Sequence, residues 1–181
     1  MIIQGLWFER DYESLWMLPS MNDDILDHLK SRGVSTVPSL LDLSREELRR
    51  VLQPFSASEL YQDLQHFPHV DVKVKLHNEQ ERSKPPTLNI RLQLKNSRRS
   101  ASRAFAPRFP KAKQEAWWLV LGNATSSELY GLKRISFADR VINTRMELPQ
   151  TFNVQETKLI LVSDCYLGFD LEYSLEHLTK G

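Results

Sequence analysis

The sequence predicts an α+β protein: a small helical, helix-hairpin-helix-like subdomain followed by a seven-stranded β-sandwich of the immunoglobulin or fibronectin type. Three observations carry this. Before His69 the apolar residues recur at helical spacing behind polar caps; from Val70 the period falls to two; and Trp117 to Leu121 is an unbroken apolar run closed by Gly122. Helices place side chains every 3.6 residues and strands every two, so a change of period is a change of secondary structure. The run at Trp117 is far below the ~20 apolar residues that a bilayer span requires and reads as a strand buried on both faces.

Taken in order, residues 2–8 hold Ile2, Ile3, Leu6, Trp7 and Phe8. A helix apolar on all sides belongs inside something larger, so this segment is expected to be the last turns of a helical bundle, with the chain starting inside a longer protein. Asp11 to Leu18 runs up to Pro19, which disfavours helix in the residue before it. Asn22 then caps a helix through Arg32, with Asp23 and Asp24 at its positive end and Gly33 stopping it. Val37 to Leu43 is a short helical turn. Ser44 with Glu47 three residues on forms a capping box for a helix bearing Leu48, Val51 and Leu52, broken by Pro54. Ser58 starts a last helix through about Gln65.

His66-Phe67-Pro68-His69 is the linker, which divides the chain into 1–67 and 68–181. Val70, Val72, Val74 and Leu76 alternate with Asp71, Lys73 and Lys75; Leu88, Ile90, Leu92 and Leu94 alternate with Asn89, Arg91 and Gln93. Each is a strand with one wet face. Further strands are expected at 115–122, 128–135, 141–148, 156–164 and 169–178. Seven strands in about 110 residues is the count and spacing of an immunoglobulin-like sandwich.

The formal net charge is +1 and the single cysteine, Cys165, allows no internal disulfide. Residues 1–67 hold 6 Lys/Arg against 11 Asp/Glu, and residues 68–181 hold 18 against 12, a contrast that suggests two modules. The N-terminus lacks the basic and long apolar regions of a secretory signal, so a reducing compartment and no membrane are expected.

Catalytic and metal constellations are weak. No G-x-x-x-x-G-K-[ST] occurs and the 6 glycines are scattered, so no phosphate cradle is expected. His66, His69, Asp71 and His77 have metal-like spacing, but Pro68 extends the segment and linker histidines that cap or pack are the better reading. A Cys165–His dyad lacks a nearby cation, and Asp164 with Asp170 reads as a turn-stabilising pair. The stretch from Asn96 to Lys113 is more informative. It holds Arg98, Arg99, Arg103, Arg108, Lys111 and Lys113 without an acid, with Phe105 and Phe109 interleaved. Such a loop suits a protein-docking surface or weak contact with nucleic acid. Ser20-Met21-Asn22 stands where a hairpin would bind phosphate, but Asp23, Asp24 and Asp27 would repel it.

Phe109-Pro110-Lys111, Glu115-Ala116-Trp117-Trp118-Leu119-Val120-Leu121-Gly122, Lys133-Arg134, Asp164-Cys165-Tyr166-Leu167-Gly168-Phe169-Asp170 and Tyr173 resemble the signatures of the Sec-sixty-three domain. Gln4-Gly5-Leu6-Trp7 and Ser14-Leu15-Trp16-Met17-Leu18-Pro19 resemble its helical portion. Ala116 stands where glycine is usual in that family and Asn123 where aspartate is. The domain occurs in Ski-type RNA helicases, namely the spliceosomal helicase Brr-two and the helicase subunit of the activating signal cointegrator complex, and in an endoplasmic-reticulum translocation component. The compact linker and the lack of a long acidic insertion or tail favour the helicase setting.

That resemblance implies a non-catalytic accessory domain at the end of a C-terminal helicase cassette. Its partners would be the parent motor and proteins of a ribonucleoprotein or transcription/repair complex, in the nucleus or cytoplasm, the nucleus favoured. It implies no cofactor or metal in this chain, with ATP and Mg held by the parent motor. The expected interaction surface is Arg98, Arg99, Arg103, Phe105, Arg108, Lys111, Lys113 and the exposed edge of Trp118. A translocation domain or a direct nucleic-acid-binding module is the alternative.

Overall fold

The computed structural model describes residues 2–7, 9–77, 85–96 and 103–176. Of the four short α-helices among the described residues, three open on a side-chain cap, and the fourth, after Ala57, opens without one. Helix α1 (Asp23–Ser31) opens on Asn22, whose side-chain oxygen accepts the Ile25 N–H at 2.9 Å. It closes at Gly33, whose φ of +76° is the left-handed conformation that a glycine adopts without a Cβ clash. Helix α2 (Val37–Leu41) is capped by Thr36. Helix α3 (Arg45–Leu52) has the full capping box: Ser44 Oγ accepts the Glu47 N–H at 3.3 Å, and Glu47 accepts the Ser44 N–H at 2.8 Å. The Ser44 hydroxyl, then the Ser44 N–H, hold the Glu47 carboxyl below its ordinary range. Helix α4 (Ser58–Leu64) follows, and Leu26, Leu29, Leu48, Leu52, Leu60 and Leu64 form the buried stripes of α1, α3 and α4.

The N-terminal segment departs from the expected all-apolar helix. Ile2–Gln4 is one 3-10 turn, ended by Gly5 at a φ of +63°, and Trp7 beyond it is 90% exposed. Asp11–Met17 is also 3-10, with Leu15 and Met17 buried. A positive-φ glycine interrupts the apolar run before a second turn can form.

Among the described residues seven strands lie within or close to the expected spans, the last much shorter than the expected 169–178: β1 (Val70–His77), β2 (Thr87–Leu94), β3 (Trp117–Asn123), β4 (Glu128–Ile135), β5 (Val141–Glu147), β6 (Thr157–Ser163) and β7 (Leu171–Ser174). They form two antiparallel sheets, β1-β2-β5 and β4-β3-β6-β7. In the first, Leu88, Ile90, Leu92 and Leu94 are buried and their alternates face outward. In the second, β3 buries Trp117, Leu119 and Leu121, and its neighbour β6 buries Leu159 and Leu161.

The chain forms two compact units. One gathers Met1–His69, Lys95–Gln114 and Cys165–Phe169; the other gathers Val70–Leu94, Glu115–Asp164 and Asp170–Gly181. Two segments beyond the linker therefore group with the helices, not with the strands.

Two strand glycines make opposite demands. At Gly122, where the β3–β4 register shifts, a Cβ would lie 2.5 Å from the carbonyl oxygen of Glu128. At Gly131 it would meet the terminal methyl of Met146 at 2.8 Å, the mobile end of a flexible side chain. Gly122→Ala is expected to destabilise by about 1–3 kcal/mol, as overpacking against backbone does, and Gly131→Ala by less; urea melts of the two variants check the order.

Candidate functional site

The first unit uses the 103–114 loop as an internal part. Arg103 bridges Gln114, and the Ala104 N–H donates to the Lys113 carbonyl at 2.9 Å, so the loop closes on itself. At its base Phe105 stacks on His66 with centroids 4.3 Å apart and meets Phe67 edge-on at 5.5 Å. Phe67 also contacts Tyr166 and Phe169. The Phe105 backbone is held at both ends: its N–H donates to the Tyr166 hydroxyl oxygen at 2.9 Å, and its carbonyl accepts from Gln4 Nε2 at 3.1 Å. Arg108 donates to the Trp16 carbonyl at 2.9 Å. Phe105 and Arg108 are thus tied into this unit. Arg103 and Lys111 are exposed and Lys113 is half-buried. Arg98 and Arg99 lie outside the described residues.

In the same unit the hairpin before α1 directs its polar groups inward. The Ser20 N–H and hydroxyl both donate to Asp63, at 2.8 and 2.6 Å, and Met21 is buried. His66 is engaged with Phe105, and His69 contacts Asp42 Oδ1 at 2.9 Å through its Nε2. No group of three or more potential metal ligands occurs among the described residues. Cys165 is buried, its Sγ 3.8 Å from the Gln114 carbonyl.

The second unit holds Trp118, and the register shows what surrounds it. On β3, Trp118 and Val120 point away from the buried row of Trp117, Leu119 and Leu121. Trp118 lies between Arg134 on β4 and Val162 on β6; Val120 lies between Leu132 and Ile160. The outer face of the four-stranded sheet is therefore a block of five apolar side chains. Val120, Ile160 and Val162 are half-buried, Trp118 is 36% exposed and Leu132 55% exposed. The expectation that this strand is buried on both faces is corrected: only its inner row is. Arg134 frames the block, its guanidinium carbon 6.0 Å from the Trp118 ring centre and its Nη2 3.0 Å from Asp164. Asp164 in turn accepts the Ala116 N–H at 2.9 Å. Its neighbour in sequence pattern, Asp170, accepts the Ser163 N–H at 2.9 Å, and burial raises its carboxyl above the ordinary range despite that bond. The two aspartates fasten the ends of strands, as turn residues do.

Residues 1–176 match the Sec63 Brl domain. The chain belongs to this family. A DExH-box ATP-dependent RNA helicase, DExH14 of Arabidopsis thaliana, is 54% identical to the Sec63 Brl domain described above over 183 residues, 99% of this chain. The U5 small nuclear ribonucleoprotein 200 kDa helicases of Homo sapiens and Drosophila melanogaster are 25% and 23% identical, each over 96% of it. In each case the chain spans 8% of the relative's length.

Within this Sec63 Brl domain, sequence reasoning named Trp118 but not its neighbours Val120, Leu132, Ile160 and Val162. The signal was present: Lys158-Leu159-Ile160-Leu161-Val162 and Trp117-Trp118-Leu119-Val120-Leu121 fail to alternate, which assigns apolar residues to both faces of two adjacent strands. Pairing them, which only the register gives, turns two runs into one patch.

Two outcomes are expected. Tyr166→Phe removes the acceptor of the Phe105 N–H and should cost about 1–3 kcal/mol in a denaturant titration, the penalty of an unsatisfied buried donor. For Asp170 the folded carboxyl binds protons more tightly than the unfolded one, so its ionisation weakens the fold as pH rises above the ordinary aspartate range. Asp170→Asn should melt at or above the wild-type temperature at pH about 7, with the difference vanishing toward pH about 3.

Proposed function

We propose that this chain is a non-catalytic accessory domain at the C-terminal end of an ATP-dependent RNA helicase of the spliceosomal or cointegrator-complex type, where it braces the motor and docks partner proteins. One observation carries the reading: the block around Trp118 faces solvent in a chain that makes up 8% of its helicase relatives. A contiguous apolar face on a water-exposed sheet marks an interface, and tryptophan and arginine are among the residue types enriched at interface hot spots. Its occupant is the remainder of the same polypeptide, which supplies a permanent neighbour to cover it. ATP and Mg would be bound by the motor and not by these residues. The likeness to U5 ribonucleoprotein helicases supports a ribonucleoprotein setting in the nucleus.

The two sheets of the second unit would be the layers of an immunoglobulin- or fibronectin-type sandwich. Support comes from the close approach of Met146 to Gly131, and from the Lys133 ammonium donating to the Thr144 hydroxyl between β4 and β5. A rigid β scaffold of this kind holds interaction surfaces in fixed geometry while contributing no chemistry.

The test titrates this chain into the parent polypeptide lacking it. Trp118→Ala combined with Leu132→Ser should weaken association about 30-fold or more, the effect of losing an interface anchor worth about 2 kcal/mol. Trp118 is only 36% exposed and Leu132 55%, so Leu132→Ser alone, melting close to the wild type, separates lost contact from lost fold and should also weaken association. Undiminished affinity would remove this face from the interface.

A further inference from the structure

The outer face of the three-stranded sheet differs in chemistry from the outer face of the four-stranded one. The register places Lys73, Arg91 and Asn143 in one cross-strand row and Lys75, Asn89 and Arg145 in the next. All four cations project from the side opposite the buried Leu88, Ile90 and Leu92. They line a shallow depression of about 420 Å³. None of the four has an ion-pair or hydrogen-bond partner among the described residues. Among the described residues of these three strands, carboxylates occur only in the flanking rows, at Asp71 on one side and Glu147 on the other.

We propose that this face binds the phosphate backbone of a nucleic-acid strand, by charge and without reading bases. Strands lie about 4.8 Å apart and same-face residues about 6.7 Å apart, so the four cations cover roughly 10 by 7 Å. Like charges at that separation repel one another, and among the described residues no acid within the two rows offsets them; a polyanion does. The carboxamides of Asn89 and Asn143, set between the cations, are neutral donors of the kind that bond phosphate oxygens. Two further features argue against an acidic protein. The depression is lined by no aromatic side chain, and its apolar lining residue, Ile90, is buried beneath it, whereas protein interfaces draw most of their energy from exposed aromatic anchors. Contacts confined to phosphate oxygens carry no sequence information, so the contact is indifferent to base identity. This surface shares no residue with the Trp118 block, so it stands or falls independently of the docking role.

The experiment is fluorescence anisotropy of the whole chain with a labelled oligouridylate of about 12 nucleotides and with an RNA duplex of the same length. Four neutralised phosphates predict a slope of log affinity against log salt near −2.8 for the single strand and near −3.6 for the duplex, taking the DNA coefficient as a guide. For the single strand that is about a 50-fold loss between about 50 and 200 mM salt. The steeper or tighter arm identifies which form the face prefers. Arg91→Gln alone should lower the single-strand slope by about 0.7, and Lys73→Gln/Lys75→Gln/Arg91→Gln/Arg145→Gln should abolish binding at unchanged melting temperature. Arg103→Ala/Lys111→Ala should leave it intact. Binding that survives the quadruple substitution, that is absent at low salt, or that is weaker than binding to a polyglutamate peptide would overturn the proposal.

Discussion

Three segments far apart in sequence meet at the side chain of Phe67. Phe105 approaches it edge-on, Phe169 stacks on it at 5.9 Å, and Tyr166 tilts against it at 5.3 Å. Aromatic rings bury large apolar area, and these offset and edge arrangements match the ring quadrupoles. The Tyr166 hydroxyl adds a direction that apolar packing lacks, because it accepts the Phe105 N–H and so fixes the loop's register as well as its depth. Around that point the remaining anchors fall into place: Gln4 reaches the carbonyls of Phe105 and Cys165, and Arg108 reaches Trp16. Without the cluster, the 103–114 segment would be a polar loop with two phenylalanines in water.

The second unit is organised by a different constraint, the central position of β3. It is hydrogen-bonded on both sides, to β4 and to β6, and its inner row of Trp117, Leu119 and Leu121 is fully buried. An inner row so apolar commits the outer row to whatever the same strands carry between. On the four-stranded sheet that is an apolar block; on the three-stranded sheet it is lysine, arginine and asparagine. The second unit therefore presents two outer faces of different chemistry, one apolar and one basic.

Capping chemistry made the helices legible, because Asn22, Ser44 with Glu47, and Gly33 act through bonds within a few residues. All seven strands were legible because turn residues separate them and alternation marks β1 and β2. What could not be read was long-range. Arg98 to Lys113 looks like a solvated basic loop until Phe105 and Arg108 are seen to be fastened to residues some 60 and 90 positions away. A strand with apolar residues on both faces does not reveal whether its second face is covered. Likewise Lys73, Lys75, Arg91 and Arg145 are ordinary wet-face residues in sequence, and become a cluster only through pairing across three strands.

The edge strands carry a last consequence. β1 bears Lys73 and Lys75, β4 bears Lys133 and Arg134, β5 bears Arg145 and Glu147, and β7 has only four residues. Charged or curtailed borders discourage an incoming peptide from zipping onto a sheet as an extra strand. The charge-free strand, β3, is one of the three strands, with β2 and β6, that are paired on both sides. Association through this domain is thereby directed to its broad sides and away from strand exchange along its borders.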